Sequence, residues 1–287
     1  MYISDELIDK FIKEDVPYID LTTLVLEIGN KKGKIQFFSR EEAVICGTEE
    51  AARIFHKLNI ELTKIKSSGS LVNKNEVFLE GKGSASDLHM AWKICQNIID
   101  YSSGIATKTK KLVDKAVNIN SDVSVITTRK NIPGTKELAI KAVVSGGGFP
   151  HRLGLSETIL IFKQHLNFLG GIHELAKMIK KIKGKVCEKK VIAEVDSLED
   201  AVELCKNGID GIQFDKVPCN KLKENISILR DINPSMVILA AGGINESNIQ
   251  DYVETGIDAV VTTCVYYAKP IDIGCKIEPI EEYTQRW

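Results

Sequence analysis

Cationic side chains follow predicted strands in the second half of the chain. They are Arg129, Lys130, His151, Arg152, Lys163 and His165. The first two come directly after the β-prone segment 123–127, the next two follow three consecutive glycines, and the last two follow the segment 158–162. Arginine presents a planar fork that matches phosphate and carboxylate oxygens, whereas lysine and protonated histidine add point charges. The pattern predicts a site for a polyanion.

Two carboxylates and a glycine pair follow later strands of the same series. Glu194 and Asp215 each lie at the end of an apolar, β-branched segment. Carboxylates can hold Mg²⁺ or ribose hydroxyls, and they stabilise positive charge developing at an anomeric carbon. Gly242-Gly243 offers bare backbone N–H groups to a phosphate, and we expect Asn245 to cap the helix that follows. With the cations, this set suits departure of diphosphate from an activated ribose.

The elements that must position these residues are six β-branched segments, each followed by a helical pattern. The segments are 123–127, 158–162, 191–195, 211–214, 237–240 and 259–262. Their starts lie about 20 to 35 residues apart, which is the length of a βα unit. Such a series predicts a parallel sheet, either an incomplete barrel of six or seven strands or a doubly wound open sheet. We favour the barrel, since no Gly-x-Gly-x-x-Gly follows the first strand.

The chain before residue 105 follows a different pattern. Ser4 and Asp5 can cap a short helix, and an amphipathic helix is predicted from Ser84 to about Ile105. Between them lie short β-prone segments at 24–28, 34–38, 43–46 and 76–79. We therefore expect a first domain over 1–104, a barrel domain over 105–270, and a turn-rich tail, 271–287, that returns to the first domain.

Composition limits the classes of partner. The chain has 287 residues, with 38 Lys and Arg against 39 Asp and Glu, for a formal net charge of -1. No whole-molecule field attracts nucleic acid or an anionic membrane, so neither is expected as a partner. Seven widely spaced cysteines without a Cys-x-x-Cys pair, and the lack of a signal-like or membrane-spanning apolar run, predict a cytoplasmic protein.

These residues also make the chain resemble the quinolinate phosphoribosyltransferase family, the carboxylating nicotinate-nucleotide pyrophosphorylases. The matching motifs are Ser103-Gly104-Ile105-Ala106-Thr107, Thr128-Arg129-Lys130 with Pro133-Gly134, Gly146-Gly147-Gly148 with His151-Arg152, Glu194-Val195, Asp215, and Gly242-Gly243-Ile244. Within the family it is most similar to the ModD branch, which is associated with molybdenum transport genes. Trp92-Lys93, Leu155-Ser156-Glu157 and Gln164-His165 carry that likeness.

The resemblance implies a fold and a reaction. The fold is α/β: an N-terminal α+β open sandwich followed by an incomplete parallel α/β barrel of the type II phosphoribosyltransferase kind. The reaction is transfer of phosphoribose from phosphoribosyl diphosphate to a ring nitrogen of a small heteroaromatic acid, with release of diphosphate. Mg²⁺ is the implied cofactor. The implied assembly is a homodimer whose active sites combine both subunits.

The resemblance also implies roles for particular residues. The catalytic candidates are Glu194, Asp215 and Lys130, and the first two are also the candidate metal ligands. The substrate-binding candidates are Lys93, Arg129, Lys130, His151, Arg152, Phe162, Lys163, His165, Ala241, Gly242, Gly243, Thr262 and Thr263. Among them, the glycine pair would take the 5'-phosphate.

The sequence departs from the family pattern where the acceptor would bind. Phe162 stands at a family lysine position, and Lys163 comes one residue later, which on a strand points to the opposite face. Lys93 replaces an arginine that the partner subunit contributes, while Ala241 and Lys216 replace a serine and an asparagine. A pocket that loses a cation and gains a phenyl ring is expected to take a less acidic or more apolar acceptor than a pyridine dicarboxylate.

Two other functions fit parts of the pattern. A non-catalytic protein linked to molybdate uptake could keep the anion pocket to bind an oxyanion or a nucleotide. An unrelated aldolase-type barrel would need a Schiff-base lysine within a strand, and Lys163 is the only near candidate. Simpler structural roles also stay open for His165, as a hydrogen-bonded strand-end residue, and for Glu194, as a buried ion-pair partner.

Overall fold

The computed structural model describes residues 1–280. The elements up to the long helix are α1 (Asp5–Asp15), α2 (Leu21–Val25), β1 (Lys32–Ser39), β2 (Ala43–Val44), α3 (Thr48–Lys57), β3 (Glu61–Ile65), β4 (Leu71–Val72), β5 (Val77–Ser84) and α4 (Ala85–Val117). After it come β6 (Ser124–Thr127), α5 (Lys136–Ser145), β7 (Phe149–Pro150), β8 (Ile159–Ile161), α6 (Lys163–Leu169), α7 (Ile172–Lys185), β9 (Val191–Val195), α8 (Leu198–Lys206), β10 (Gly211–Asp215), α9 (Cys219–Ile232), β11 (Val237–Ala241), α10 (Ile249–Val253), β12 (Ala259–Thr262), a 3₁₀ turn (Cys264–Tyr267) and β13 (Ile273–Pro279).

These elements form two compact units. Of the described residues, the N-terminal unit comprises Met1–Lys110, Ile132–Gly146 and 267–280, and the half-barrel unit comprises Lys111–Asn131 and Gly147–Tyr266. The boundary after Lys110 differs from the expected 104/105, and residues 132–146, expected in the barrel, group with the first unit. Of the expected returning tail, β13 pairs with β1, whereas residues 281–287 lie outside the described residues.

The N-terminal unit is built on a four-stranded antiparallel sheet in the order β13-β1-β5-β3. Alternate β1 residues, among them Ile35 and Phe37, are fully buried, and helices α3 and α4 contribute Phe55, Leu88 and other apolar side chains to the same core. The rings of Phe37 and Phe55 lie 6.4 Å apart. Burying one face of the sheet against helices gives the α+β arrangement that the resemblance implies.

Two local expectations were wrong. The segment 24–28 is not a strand: α2 begins one residue after Asp20, whose carboxylate accepts a hydrogen bond from the Thr23 N–H at 3.2 Å and so caps a helix. Helix α4 runs to Val117, well beyond Ile105, since an apolar face continues through its buried Leu112 and Ala116. At the start of the chain, Ser4 caps α1 through the Leu7 N–H, as predicted.

The half-barrel unit contains one curled sheet of seven parallel strands, in the order β7-β6-β12-β11-β10-β9-β8. The predicted incomplete barrel is therefore confirmed; β7 is the strand that the sequence pattern missed. Among the described strands β7 and β8 are edges, so the sheet stays open. Its concave layer packs Leu160, Ile192, Leu239, Ala241, Ala259 and Val261 together. No helix within residues 1–280 is long and apolar enough to cross a bilayer.

A buried ion pair connects α3 and α5 in the N-terminal unit. The Lys141 ammonium donates to the carboxylates of Glu50 at 2.5 Å and Glu49 at 2.7 Å, and the Lys141 and Glu50 side chains are only 10% and 3% exposed. Burial opposes ionisation of Glu49, but hydrogen bonds from Lys141 and Ser68 outweigh it and lower the pKa of this carboxyl to about 2. Removing the cation would leave Glu50 buried without a counter-ion.

We therefore expect Lys141→Met to lower the free energy of unfolding by about 3 kcal/mol, as loss of one partner of a buried pair does. The control is Lys177→Met, which breaks an exposed pair with Glu174 and should cost at most about 0.5 kcal/mol. Urea denaturation measures both. Equal, small losses would contradict this account of Lys141.

The pair also has a pH signature. Because the folded pKa of Glu49 is about 2 and its ordinary value is 4.5, the pair contributes stability above pH 4.5 that is lost as the pH falls toward 2. The stability gap between wild type and Lys141→Met should accordingly narrow over that range.

Candidate active site

Parallel register gathers the candidate residues at one end of the half-barrel. The register pairs Thr127 with Thr262, Ile161 with Ala193, and Asp215 with Ala241. Since every strand runs in the same direction, the residues just past these pairs meet at one edge of the sheet. Most of the predicted site residues lie there.

The predicted cations occupy two neighbouring loops at this edge. Arg129 and Lys130 are exposed after β6, and the His151 N–H donates to the carbonyl of Thr127 at 2.9 Å, which holds the second loop against the first. Burial, and then the charge of Arg152, lower the pKa of His151. Burial, and then the charge of Arg129, lower the pKa of Arg152. Crowded cations of this kind are stabilised when an anion arrives.

The triple glycine before His151 serves backbone packing. A Cβ on Gly146 would lie 2.4 Å from the Ala106 carbonyl oxygen and 2.6 Å from the Thr109 Cβ, so only glycine allows the chain to approach α4 this closely. Gly147 has a φ of 85°, a left-handed conformation that also favours glycine. These glycines shape the loop, and the side chains that follow them supply the charge.

Hydroxyl groups join β6 and β12 beside the cations. Thr128 and Thr263 share a hydrogen bond of 2.8 Å between their side-chain oxygens, and the Lys130 N–H donates to Thr128 at 3.2 Å. Thr262 points to the other face of the sheet: it is buried, donates to the Ile244 carbonyl at 2.7 Å and accepts from the Cys264 N–H. Its hydroxyl is thus already engaged in holding a loop, unlike the substrate contact expected of it.

Phe162 lies on the concave side next to Arg152. Its ring packs against the concave apolar layer, and the guanidinium carbon of Arg152 lies 5.7 Å from the ring centroid, within cation–π range. The Phe162 N–H donates to Nδ1 of His165 at 3.0 Å, and the two rings stack at 5.9 Å. Lys163 is the exposed first residue of α6, outside strand β8, which removes the geometric basis for a Schiff-base lysine.

The two candidate carboxylates, Glu194 and Asp215, lie on β9 and β10. Gln213, paired in register with Glu194, donates its amide N–H to the Glu194 carboxylate at 2.6 Å. Burial raises the pKa of Glu194; the Gln213 hydrogen bond opposes this effect and the nearby Asp215 charge adds to it. Gln213 is itself buried, and its amide oxygen has no hydrogen-bond partner among the described residues. The nearest cation to these two carboxylates is the exposed Lys216, whose ammonium lies 3.7 Å from Asp215, so the pair can still take a further positive group.

The glycine turn after β11 packs directly on the end of β10. Gly242 has a φ of 92° and Gly243 a φ of 76°. A Cβ on Gly242 would lie 2.4 Å from Lys216 Cγ and 2.7 Å from the Lys216 backbone nitrogen, whereas one on Gly243 would meet nothing within 4 Å. The first glycine is thus needed for packing, and the second leaves an open backbone approach.

Asn245 does not cap the next helix as expected. Helix α10 begins at Ile249, and Asn248 is the residue at its N-cap position. The Asn245 side chain instead accepts from the Ser247 N–H and donates to the Gly243 carbonyl at 3.0 Å. It therefore fixes the glycine turn.

Lys93 belongs to the N-terminal unit, on α4. Its ammonium lies 4.5 Å from the centroid of the Trp92 ring and donates to the Gln96 amide oxygen at 3.1 Å. The Trp92 indole N–H donates to the same oxygen at 3.1 Å. The lysine is exposed, and its charge is held in place by its two neighbours.

The donor set suits a hard cation held partly by substrate. No group of three or more His, Cys, Asp or Glu residues within 1–280 forms a metal cluster. Mg²⁺, however, is usually held by one or two carboxylates together with substrate phosphates. Glu194 and Asp215 provide that pair, and the Gln213 amide N–H holds the Glu194 carboxylate through a hydrogen bond of 2.6 Å. The residues present therefore fit Mg²⁺.

Comparisons with known proteins agree with this geometry. The model of the quinolinate phosphoribosyl transferase C-terminal domain matches residues 105–276, and that of the N-terminal domain matches residues 20–103. The chain belongs to the quinolinate phosphoribosyl transferase family. Members of this family are phosphoribosyltransferases, so the chain is an enzyme of that class.

Individual relatives match over nearly their whole lengths. A Pasteurella multocida protein that carries the name pyrophosphorylase ModD is 34% identical over 278 residues, covering 97% of this chain and 99% of that protein. A Methanothermobacter thermautotrophicus protein named as a carboxylating nicotinate-nucleotide pyrophosphorylase is 28% identical, covering 96% and 99%. The structure of the Francisella tularensis nicotinate-nucleotide pyrophosphorylase superposes with a TM-score of 0.86 at 26% identity, covering 96% and 98%.

Two residues at the site of this quinolinate phosphoribosyl transferase family member were missed or undervalued from sequence. Gln213 was not singled out, although strand alternation places it on the same face as Asp215 and a polar residue inside an apolar strand is a usable signal. Lys216 was noted only as a departure from the family. Its left-handed backbone, with a φ of 58°, is not visible in the sequence.

Replacing the two glycines separates backbone strain from packing. Both substitutions force alanine into a left-handed conformation, but only Gly242→Ala adds a clash with Lys216. We expect Gly242→Ala to lower the free energy of unfolding by about 2 kcal/mol more than Gly243→Ala, the range that overpacking costs. Thermal or urea denaturation of the two variants measures the difference, and an equal loss would show that the close approach of Gly242 is not tight.

Proposed function

We propose that this protein transfers phosphoribose from phosphoribosyl diphosphate to a ring nitrogen of a small heteroaromatic acid. The bond between the anomeric carbon and the diphosphate oxygen breaks, its electron pair leaves with diphosphate, and a bond from the ring nitrogen forms. The observation that carries the proposal is one sheet edge that presents crowded cations, two carboxylates and an open glycine turn. The similarity to ModD extends the proposal to molybdenum metabolism.

Each part of the edge suits one part of the substrates. Arg129, Lys130, His151 and Arg152 suit the diphosphate and the acceptor carboxylate, because they offer charge-assisted donors from two adjacent loops. Glu194 and Asp215 suit the ribose, where they stabilise the positive charge that grows on the anomeric carbon as diphosphate departs. We propose that Lys130 stabilises the negative charge that develops on the leaving diphosphate. The open backbone at Gly243 suits the 5'-phosphate.

We propose Mg²⁺ as the cofactor. Glu194 and Asp215 would hold it, and when bound it would neutralise charge on the diphosphate oxygens. The raised pKa of Glu194 is consistent with a carboxyl that gains a positive neighbour on loading, since a cation lowers such a pKa again.

The acceptor is proposed to be less acidic or more apolar than a pyridine dicarboxylate. Phe162 puts a ring where the family pattern has a lysine, and it also lies against the Arg152 guanidinium. A flat aromatic acid with one carboxylate can stack on Phe162 while Arg152 binds that carboxylate. A second carboxylate at the Phe162 position would be desolvated without a partner.

The experiment is a diphosphate-release assay with Mg²⁺, phosphoribosyl diphosphate and matched heteroaromatic mono- and dicarboxylates. We expect release with at least one monocarboxylate. No release with any acceptor would contradict the proposal. A saturable thermal shift with molybdate and none with phosphoribosyl diphosphate would then support the anion-binding alternative.

The same assay tests the role of Phe162. Phe162→Lys adds a cation for a second carboxylate and should raise kcat/KM for a dicarboxylate relative to a monocarboxylate by about tenfold, the value of one charge-assisted hydrogen bond. Phe162→Leu is the control, since it keeps the site apolar and should leave the preference unchanged. The idea fails if both variants behave alike.

We further propose a homodimer with shared active sites, in which Lys93 contributes to the site of the partner. Exposed apolar side chains on the N-terminal unit support an interface there; Leu21, Leu24, Val25 and Leu26 are each at least 60% exposed. Seven free cysteines, two of them fully buried, support a reducing compartment, and we propose the cytoplasm.

Hybrid dimers test the shared site. Lys93→Ala and Arg129→Ala should each be inactive, but mixing equal amounts should restore about a quarter of wild-type activity, because half of the dimers are hybrids with one intact site each. Diphosphate release after exchange measures it. No recovery from two inactive variants, with hybrids demonstrated by native mass spectrometry, would mean that Lys93 and Arg129 of the same subunit act together, and it would contradict the shared site.

A further inference from the structure

Lys216 is a cation at the carboxylates to which the proposed function assigns no role. It directly follows Asp215, and its ammonium lies 3.7 Å from the Asp215 carboxylate. An exposed ion pair at this distance is usually weak, and the Lys216 side chain is 77% exposed. The ion pair alone would therefore mean little. The backbone gives Lys216 its significance.

The backbone at Lys216 is held in an unusual conformation. Its φ of 58° lies in the left-handed region, which lysine rarely adopts. The Lys216 N–H donates to the Ala241 carbonyl at 2.8 Å, which fixes this conformation to the neighbouring strand. Such a residue persists only where its surroundings determine it, and it marks a place to look for function.

The side chain of Lys216 is constrained by packing, as its backbone is. Gly242 packs so closely on Lys216 Cγ that no side chain fits at position 242. The stem of Lys216 therefore occupies the space next to the glycine turn, and its ammonium lies 3.7 Å from the Asp215 carboxylate. Glu194 lies on the same face of the sheet as Asp215, because Gln213, its partner in register, is two residues from Asp215 on β10. The ammonium beside Asp215 therefore lies at a pair of carboxylates.

We propose that Lys216 is a resident counter-ion of the Glu194–Asp215 pair, so that these carboxylates bind Mg²⁺ more weakly than they would alone. The inference rests on the proposed function for the identity of the metal, but it concerns the free protein. A positive charge a few ångströms from the metal position repels the metal and also satisfies part of the carboxylate charge. With substrate bound, the same ammonium lies close to the edge at which diphosphate oxygens would bind.

The test is Mn²⁺ binding to the whole protein without substrate, measured by electron paramagnetic resonance and by isothermal titration calorimetry. Lys216→Met removes the charge and keeps most of the stem, and it should tighten binding by on the order of tenfold. Lys216→Arg retains the charge and should bind as wild type does. Lys223→Met, on the exposed surface of α9, removes one charge elsewhere and should change binding less than about twofold.

A second variant that tolerates the left-handed backbone tests the proposal even if Lys216→Met does not fold. Asparagine tolerates the left-handed conformation better than other side chains, so Lys216→Asn should fold and should show the same tightening as Lys216→Met. Equal Mn²⁺ affinity in wild type, Lys216→Met and Lys216→Asn would overturn the proposal, and so would the absence of binding in all three.

The outcomes separate this inference from the proposed function. Tighter Mn²⁺ binding in Lys216→Met, with no diphosphate release by any variant, would uphold the counter-ion and reject the transferase reaction. Diphosphate release with unchanged metal affinity would do the reverse. If both hold, the Mg²⁺ concentration that gives half-maximal rate should fall in Lys216→Asn in parallel with the binding data.

Discussion

The parallel alignment of seven hydrogen-bonded strands is the constraint on which the site depends. It brings residues that are far apart in sequence, such as Thr128 and Thr263, to a shared hydrogen bond of 2.8 Å. It also fixes, through the period of two in each strand, which side chains reach the concave face. Phe162, Glu194 and Asp215 reach that face, while Thr262 is turned to the opposite one. A shift of one residue in any strand would exchange these roles.

Electrostatics divides the sheet edge into a cationic half and an anionic half, and each half needs a ligand group of the opposite charge. On one side burial, and then the charge of Arg129, lower the pKa of Arg152, and on the other burial, with the charge of Asp215, raises the pKa of Glu194. Each half is destabilised by its own like charges. A substrate that brings anionic groups to the first half and positive charge to the second relieves both, which is the preorganisation that transferase chemistry needs.

The sequence alone predicted strands and helices from their period-two and period-3.6 patterns, and it predicted which residues lie at the strand ends. The strands at 191–195 and 259–262 have the predicted limits, because β-branched runs with clear turn signals leave little choice. It failed at segment 24–28, because the local cap at Asp20 starts a helix, Leu21–Val25, that runs into these β-prone residues. It also failed where tertiary contacts decide. The two-residue strand β7 exists only through its pairing with β6.

The site shows the same division. Residue types and their order predicted which loops carry charge, since a cation that directly follows a buried strand lies in the loop at the end of that strand. Alternation along the strands also determines which faces Thr262 and Gln213 occupy, so the orientations of these two side chains were predictable from the sequence. The conformations of Lys216 and Gly242 could not be foreseen, because they arise from contact between the ends of β10 and β11. Such contacts depend on register, which composition does not encode.

The grouping of Ile132–Gly146 with the N-terminal unit has a consequence for how this enzyme can be divided. The chain leaves the half-barrel after Arg129-Lys130 and re-enters it just before His151-Arg152, so the two cationic loops are the exit and the entrance of one excursion. A fragment that begins after Lys110 would carry α5 without its core partners and would leave Lys141 without Glu49 and Glu50. No single cut in the chain therefore separates the two units: gene truncation, domain grafting or exchange between relatives has to keep residues 132–146 with the N-terminal unit.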